Sequence, residues 1–219
     1  MKNSLLCAAL FFLTINLFAQ DCSQNIFMQK GRVTEVTTHN ADGTVQSKTV
    51  RTVDDVTNAN GFTIATITAE VFDATGALKK KNTLYFQCNG TLFAVDVSSL
   101  MPQSGNVKVA PVYLEYPAIM NVGDYLPDLT KKFSITADNR TYLANLKFYD
   151  RNVKAKETVT TSAGTFDCFK NTYRILVTYS GSSQPPPAIT SQNTEWYSPK
   201  FGVVKSESSG LTRELTSVK

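Results

Sequence analysis

One histidine, one tryptophan and four cysteines in 219 residues remove most of the usual catalytic repertoire. With His39 as the sole imidazole, no histidine-based zinc site can be assembled, and any serine or cysteine triad would have to use that residue. His39 adjoins the turn residues Asn40 to Gly43, which makes it a turn residue rather than a general base. The nucleophile-elbow pattern Gly-x-Ser-x-Gly is missing, as is a glycine-rich phosphate loop ending in Lys-Ser/Thr. Three cysteines outside the N-terminus, none closely spaced, do not form a cysteine-rich metal site. No metal or cofactor is expected. Charge of one sign is also scarce, at 22 basic against 18 acidic residues. Basic residues are not interleaved with stacking aromatics, so a nucleic-acid surface is excluded. Glycine (11) and proline (8) are too few for a collagen-like or low-complexity chain, and cysteine too rare for a disulfide-dense mini-scaffold. What remains is 42% apolar, 11% aromatic and 18% charged, a balance that fills a core.

The one long apolar run lies at the start. Residues 1–19 carry Lys2, an apolar stretch from Leu5 to Phe18 and a small Ala19 before polar Gln20. That is the layout of a secretory signal peptide, and the run is shorter than the ~20 residues that span a bilayer. Cys22 is preceded by Ala19-Gln20-Asp21 rather than by a small residue, which argues against lipid attachment there. No later stretch spans a membrane, so the expectation is a released chain with one domain over residues 20–219, in the periplasm or on the outer surface of a Gram-negative-type bacterium. Cys7 leaves with the leader, and an oxidising compartment then favours one pair and one leftover thiol. Pairing Cys22 with Cys88 would tie the N-terminus to a core strand and leave Cys168, among apolar neighbours, buried and inert. A nucleophilic Cys168 is the alternative, and it lacks a base.

Period-two alternation recurs along the rest of the chain. Tyr142, Ala144, Leu146 and Phe148 alternate with Leu143, Asn145 and Lys147, and Tyr173, Ile175, Val177 and Tyr179 do the same. Such runs, rich in Thr and Val, are half-buried strands. Asp42-Gly43, Thr75-Gly76 and Asn89-Gly90 punctuate them as hairpin turns. Strands are predicted near 31–39, 45–55, 61–72, 78–88, 91–96, 107–115, 131–137, 141–150, 153–161, 165–180, 189–198, 202–208 and 211–217. The one helical turn predicted is Val97 to Met101, cut by Pro102. Lys79-Lys80-Lys81 sits on a hairpin edge, where lysine blocks edge-to-edge pairing. The fold class is therefore all-β: a single strongly curved antiparallel sheet or half-open barrel with meander topology and at most one short helix.

Three places carry a family resemblance. They are Cys22 with Lys30-Gly31 and the Asn40-Ala41-Asp42-Gly43 turn; Val122-Gly123-Asp124-Tyr125-Leu126-Pro127-Asp128; and Lys156-Glu157-Thr158-Val159-Thr160-Thr161-Ser162-Ala163-Gly164-Thr165-Phe166-Asp167-Cys168-Phe169 followed by Glu195-Trp196-Tyr197-Ser198-Pro199-Lys200-Phe201-Gly202-Val203-Val204-Lys205-Ser206-Glu207. On these the chain resembles the TapB-like exported bacterial proteins, close to the domain of unknown function 3108 group, over residues 22–218. The resemblance implies a periplasmic or surface protein on a strongly curved antiparallel sheet, with no catalytic residues. The chain departs from it in the proline-rich stretch 180–188.

Two functional readings follow. The first is a non-enzymatic exported binding or interaction protein of the cell envelope, whose partner is another envelope protein or an apolar or amphiphilic ligand. A curled sheet puts one face inside a concavity, so a cleft walled by Tyr142, Leu146, Phe148, Ile175 and Val177 is the candidate ligand site, unless these side chains simply close into a packed core. The second is a carbohydrate-active hydrolase using two of Asp124, Asp128 and Glu195, with Trp196-Tyr197 as a sugar platform. Two acids at the Asp124/Asp128 loop fall short of the 6–8 oxygens that calcium takes.

Overall fold

The computed structural model describes residues 21–98, 110–137, 140–181 and 185–219, leaving out the side chains of residues 135–137 and 140. Twelve strands follow one another: β1 (Val33–His39), β2 (Val45–Ala59), β3 (Phe62–Asp73), β4 (Leu78–Cys88), β5 (Leu92–Asp96), β6 (Tyr113–Pro117), β7 (Leu129–Ala137), β8 (Arg140–Thr161), β9 (Gly164–Ser180), β10 (Ile189–Ser198), β11 (Gly202–Ser208) and β12 (Leu211–Val218). All pair antiparallel in one sheet, in the order β6-β5-β4-β3-β2-β1-β12-β11-β10-β9-β8-β7. The all-β expectation holds. The sheet consists of two meanders joined where β1 pairs β12, and it curls into a nearly closed barrel whose open seam lies between β6 and β7.

The turns explain why consecutive strands pair. Asp42 Oδ1 accepts from the Thr44 amide at 3.0 Å, and Asp73 Oδ1 does the same for Thr75 (2.9 Å) and Ala77 (3.0 Å). Asn60-Gly61 and Ser209-Gly210 have positive φ at both central residues, the twist-compatible hairpin turn. Two predicted strands, 141–150 and 153–161, are one: β8 runs 22 residues, longer than ordinary strands. Its length is carried through a register shift between Tyr149 and Asn152, where Asp150 sits at φ 53°. A bulge of this kind bends a strand without ending it, and the sequence break around Asp150-Arg151 marked the bend rather than a turn. Residues 99–101 of the predicted helical turn, the start of the predicted 107–115 strand and the leader lie outside the described residues. Two short 3-10 turns, Cys22–Gln24 and Ile26–Met28, were not foreseen.

The second of those turns fills the base of the barrel. Phe27 packs edge-on against Phe86 (5.0 Å between ring centroids) and parallel to Phe93 (6.4 Å). The Ile26 amide donates to the Lys200 carbonyl at 3.0 Å, fixing the segment to the β10–β11 turn. Gly202, at φ +71°, leaves room for the ring: a β-carbon there would stand 2.9 Å from Phe27. The main core continues with Val53, Ala65, Ile67, Leu84, Phe86, Leu114, Leu146, Phe148 and Tyr197 on the concave face. A second cluster gathers Val36, Phe166, Cys168, Trp196, Val204 and Leu215. The tip of the β8–β9 hairpin is tied beside it, as Thr161 Oγ1 and Ser162 Oγ donate to the Leu215 and Thr216 carbonyls.

Candidate functional site

The concave wall holds a buried polar cluster that reaches the seam. Glu195 on β10 is 3% exposed, Asn171 on β9 1% and Arg151 on β8 1%. The Tyr116 hydroxyl on β6 donates to Glu195 Oε2 at 3.1 Å, and Asn171 Nδ2 donates to Oε1 at 3.3 Å. Tyr173 adds a further side-chain hydrogen bond to the same carboxyl. The β8 bulge turns Arg151 inward, where its guanidinium donates to the Pro127 carbonyl and, at 2.9 Å, to the Glu115 carbonyl. It also lies 5.2 Å from the Tyr116 ring centroid, and Tyr116 stacks on Tyr197 at 4.2 Å. The cluster thus meets the seam from both sides: from β6 through Tyr116 and Glu115, and from β8, the neighbour of edge strand β7, through Arg151.

Electrostatically the carboxyl at the centre of the cluster is pulled in two directions. Burial, the largest influence, lifts the Glu195 carboxyl above the ordinary range, while Arg151 and the hydrogen bonds from Asn171, Tyr116 and Tyr173 oppose it. Burial likewise raises the Tyr116 and Tyr173 hydroxyls, so both remain donors at neutral pH. A raised folded-state value contributes stability that is fully present below the ordinary glutamate pKa and is lost as pH rises through the folded value. Denaturant titrations from pH 4 to 8 are therefore expected to show a smaller fall in stability for Glu195→Gln than for the wild-type protein. Superimposable slopes would mean that Glu195 ionises as freely folded as unfolded.

The structure separates the acids suggested as a hydrolytic pair. Asp124 Oδ2 accepts from the Asn121 amide at 2.7 Å and holds its own turn, and Asp128 is exposed, whereas Glu195 is inside the barrel. Trp196 and Tyr197 are not an open platform. Trp196 is 7% exposed, donates its indole N–H to Glu157 and lies between Lys170 (5.0 Å) and Lys205 (5.1 Å). His39 Nδ1 donates to the Gly43 carbonyl at 3.2 Å, a turn contact. Cys22 and Cys88 are joined in a disulfide with their Cα atoms 5.8 Å apart. Cys168 is free and buried, and burial, with lesser repulsion from Asp167 and Glu157, pushes its thiol up to about 12. Among the described residues no cluster of three His, Cys, Asp or Glu could hold a metal ion.

The five cleft residues do come to one wall, since Leu146 pairs with Val177 and Phe148 with Ile175. Leu146 and Phe148 belong to the main core, Ile175 and Val177 are half-buried against it, and Tyr142 packs with Ala144, Phe133 and Tyr179. Phe148 and Tyr173 have ring centroids 5.9 Å apart. Sequence reasoning missed Arg151, Tyr116 and Asn171. The break in alternation at Asp150-Arg151 was the one available signal, because a charged residue between two strand-like runs is where a bulge re-aims a side chain.

Comparison with known proteins gives the family of this chain and structures similar to it in fold. A family model described as DUF3108-like matches residues 29–219, and the chain belongs to that family. Among curated proteins none matches. Two solved structures are similar in fold, each at 22% identity and a TM-score of 0.69. One, from Bacteroides fragilis NCTC 9343, is described as an exported protein with a YmcC-like fold, with 87% of this chain and 96% of that chain covered. The other, described as a lipoprotein, is from Parabacteroides distasonis ATCC 8503, with 88% and 96% covered. No helix among the described residues is long and apolar enough to cross a membrane.

Proposed function

We propose that the protein is an exported, non-enzymatic interaction protein of the bacterial cell envelope whose partner is another envelope protein. The observation that carries this reading is the seam loop. Between β6 and β7, Ile119, Val122 and Tyr125 are 66%, 60% and 79% exposed within seven residues, while the aromatic side chains of the main core are packed. The loop is nonetheless anchored: the Gly123 amide donates to the Val153 carbonyl (2.8 Å) and the Leu126 amide to the Arg151 carbonyl (2.9 Å). A rigidly held group of exposed apolar side chains is the kind of surface that contacts a partner. Export is supported by the leader-like N-terminus and by a disulfide, which persists in an oxidising compartment. The Cys22 sulfur is bonded to Cys88 and so cannot carry a thioether-linked lipid, which favours release over anchoring at that residue. The packing of Leu146 and Phe148 into the main core favours protein contact over an amphiphile in the cleft.

The test is a photo-reactive amino acid in place of Tyr125, with crosslinking in intact cells of the source bacterium. A discrete adduct in the envelope fraction, weakened by Val122→Asp, is the expected result. An adduct indifferent to Val122→Asp, or none, would overturn the reading, and a glycan-hydrolysis rate abolished by Glu195→Gln would move the assignment to the hydrolase.

A further inference from the structure

Partway along the concave face its chemistry changes. Residues paired across neighbouring strands share a face, so the register assigns each to the inside or the outside. Arg51 pairs with core residue Ala69 on one side and with Thr34 on the other. Arg213 pairs with Ser206, which pairs with the buried Glu195, and Asn193 pairs with Tyr173. Arg51, Arg213, Ser206, Asn193 and Tyr173 therefore line the same concave wall, beside the apolar core.

Two of these residues, Arg51 and Arg213, are cations. Arg51 is half-buried, and its Nε is fully buried with no hydrogen-bond partner. Neither Arg51 nor Arg213 takes part in an ion pair among the described residues. The acid nearest by register, Glu195, is hydrogen-bonded to Tyr116 and Asn171. Burial and the neighbouring Arg213 both act against the positive charge of Arg51. Arg213 is exposed and keeps its charge in solvent, whereas the buried, unpartnered Nε of Arg51 is destabilising, and departures of this kind from ordinary folding rules concentrate where a ligand supplies the missing partner. Arg51 on β2 and Arg213 on β12 flank β1 at Thr34 and Thr38, ~13 Å apart along the strand and ~10 Å across it, or ~16 Å in all. Two long side chains can close that span from opposite sides onto one small molecule.

We infer that this part of the barrel interior binds an anionic, hydroxyl-rich ligand, a phosphorylated or carboxylated sugar, with Arg51 and Arg213 on the anion and Asn193, Ser206 and Tyr173 on the polar body. The guanidinium fork matches carboxylate and phosphate oxygens two at a time. Amide and hydroxyl groups suit sugar hydroxyls, and a half-buried tyrosine offers both a ring face and a donor. The inference does not depend on the seam loop, although Tyr125 of that loop and Tyr173 line one surface pocket.

The experiment is calorimetric titration of the mature, disulfide-bonded protein with glucose 1-phosphate, glucuronate, inorganic phosphate and neutral glucose. Binding of at least one sugar anion is expected, weakening with salt, with no heat from glucose. Arg51→Gln and Arg213→Gln should each weaken it by about tenfold or more, the effect of losing a charged hydrogen bond. Arg51→Lys should fall between, retaining charge without the fork. Ile119→Asp should leave it unchanged, which separates this site from the partner surface. Inorganic phosphate binding as tightly as glucose 1-phosphate would overturn the sugar assignment. Absence of binding by all three anions, or binding unchanged in both glutamine variants, would overturn the site. A second readout needs no ligand: Arg51→Met removes an unpaired charge and should raise the melting temperature by ~2–4 °C. A fall would show that Arg51 is structurally partnered and would also overturn the inference.

Discussion

Replacing Arg151 by methionine is expected to destabilise the protein by ~2–5 kcal/mol, the cost of leaving two buried carbonyls without their charged donor. Methionine keeps most of the volume, so the loss measures what the guanidinium does. It donates to the carbonyls of Pro127 and Glu115 and lies against the Tyr116 ring. It is also the cation that favours ionised Glu195. Without it, two carbonyls at the seam lose their donor and Glu195 keeps its proton to higher pH. Because Glu115 lies on β6, at the margin of the sheet, the loss should be local before it is global. Hydrogen exchange is the discriminating measurement: amides of β5 and β6 should lose protection ahead of those of β2 and β3. A destabilisation below ~1 kcal/mol, of the size typical of surface substitutions, or one spread evenly over the sheet, would show that Arg151 does not hold the seam.

The second large effect is that of the disulfide. Cys88→Ser is expected to cost ~4 kcal/mol, from the chain entropy released when a closed loop of this size is opened. The sequence separation of the bonded pair is 66 residues. For a chain of this length that corresponds to a melting-temperature drop of roughly 10 °C. The structural consequence is specific, since Cys22 begins the segment that carries Ile26, Phe27 and Met28 into the base of the barrel. Loss of the bond should therefore raise protease sensitivity near residues 21–32 more than elsewhere. Thermal melts with and without reductant, followed by limited proteolysis, check both parts. Equal melting temperatures would mean that Phe27 against Phe86 and Phe93 suffices to seat the plug.

The two effects address the two places where the barrel is closed by something other than strand pairing. At the base, an extra segment enters from the N-terminus. At the seam, side chains bridge strands that do not hydrogen-bond to one another along their length. Everywhere else the backbone ladder closes the sheet, and single substitutions there should act through packing alone.

What the sequence determined by itself was the local chemistry of a meander. Alternation at period two, β-branched residues and Asp-Gly or Asn-Gly turns specify consecutive antiparallel strands because each hairpin forms from residues close together in the chain. The class of fold, the turn role of His39 and the strand placement of Tyr142 to Phe148 and Tyr173 to Tyr179 were all legible on those grounds. The family resemblance was legible too, in the hairpin spanning Lys156 to Phe169 and in the Glu195 to Glu207 run. What only the tertiary structure decided was which distant strands meet. Closure of β1 on β12 brings residues of the first and last strands together, and curling brings Tyr116 to Glu195 and Arg151 to Glu115 across the interior. Each of those pairings depends on total curvature summed over twelve strands and on the bulges that set it. No local window of sequence contains that sum, which is why Glu195 reads as an ordinary polar strand position and Arg151 as a break, while inside the barrel both lie at its polar centre.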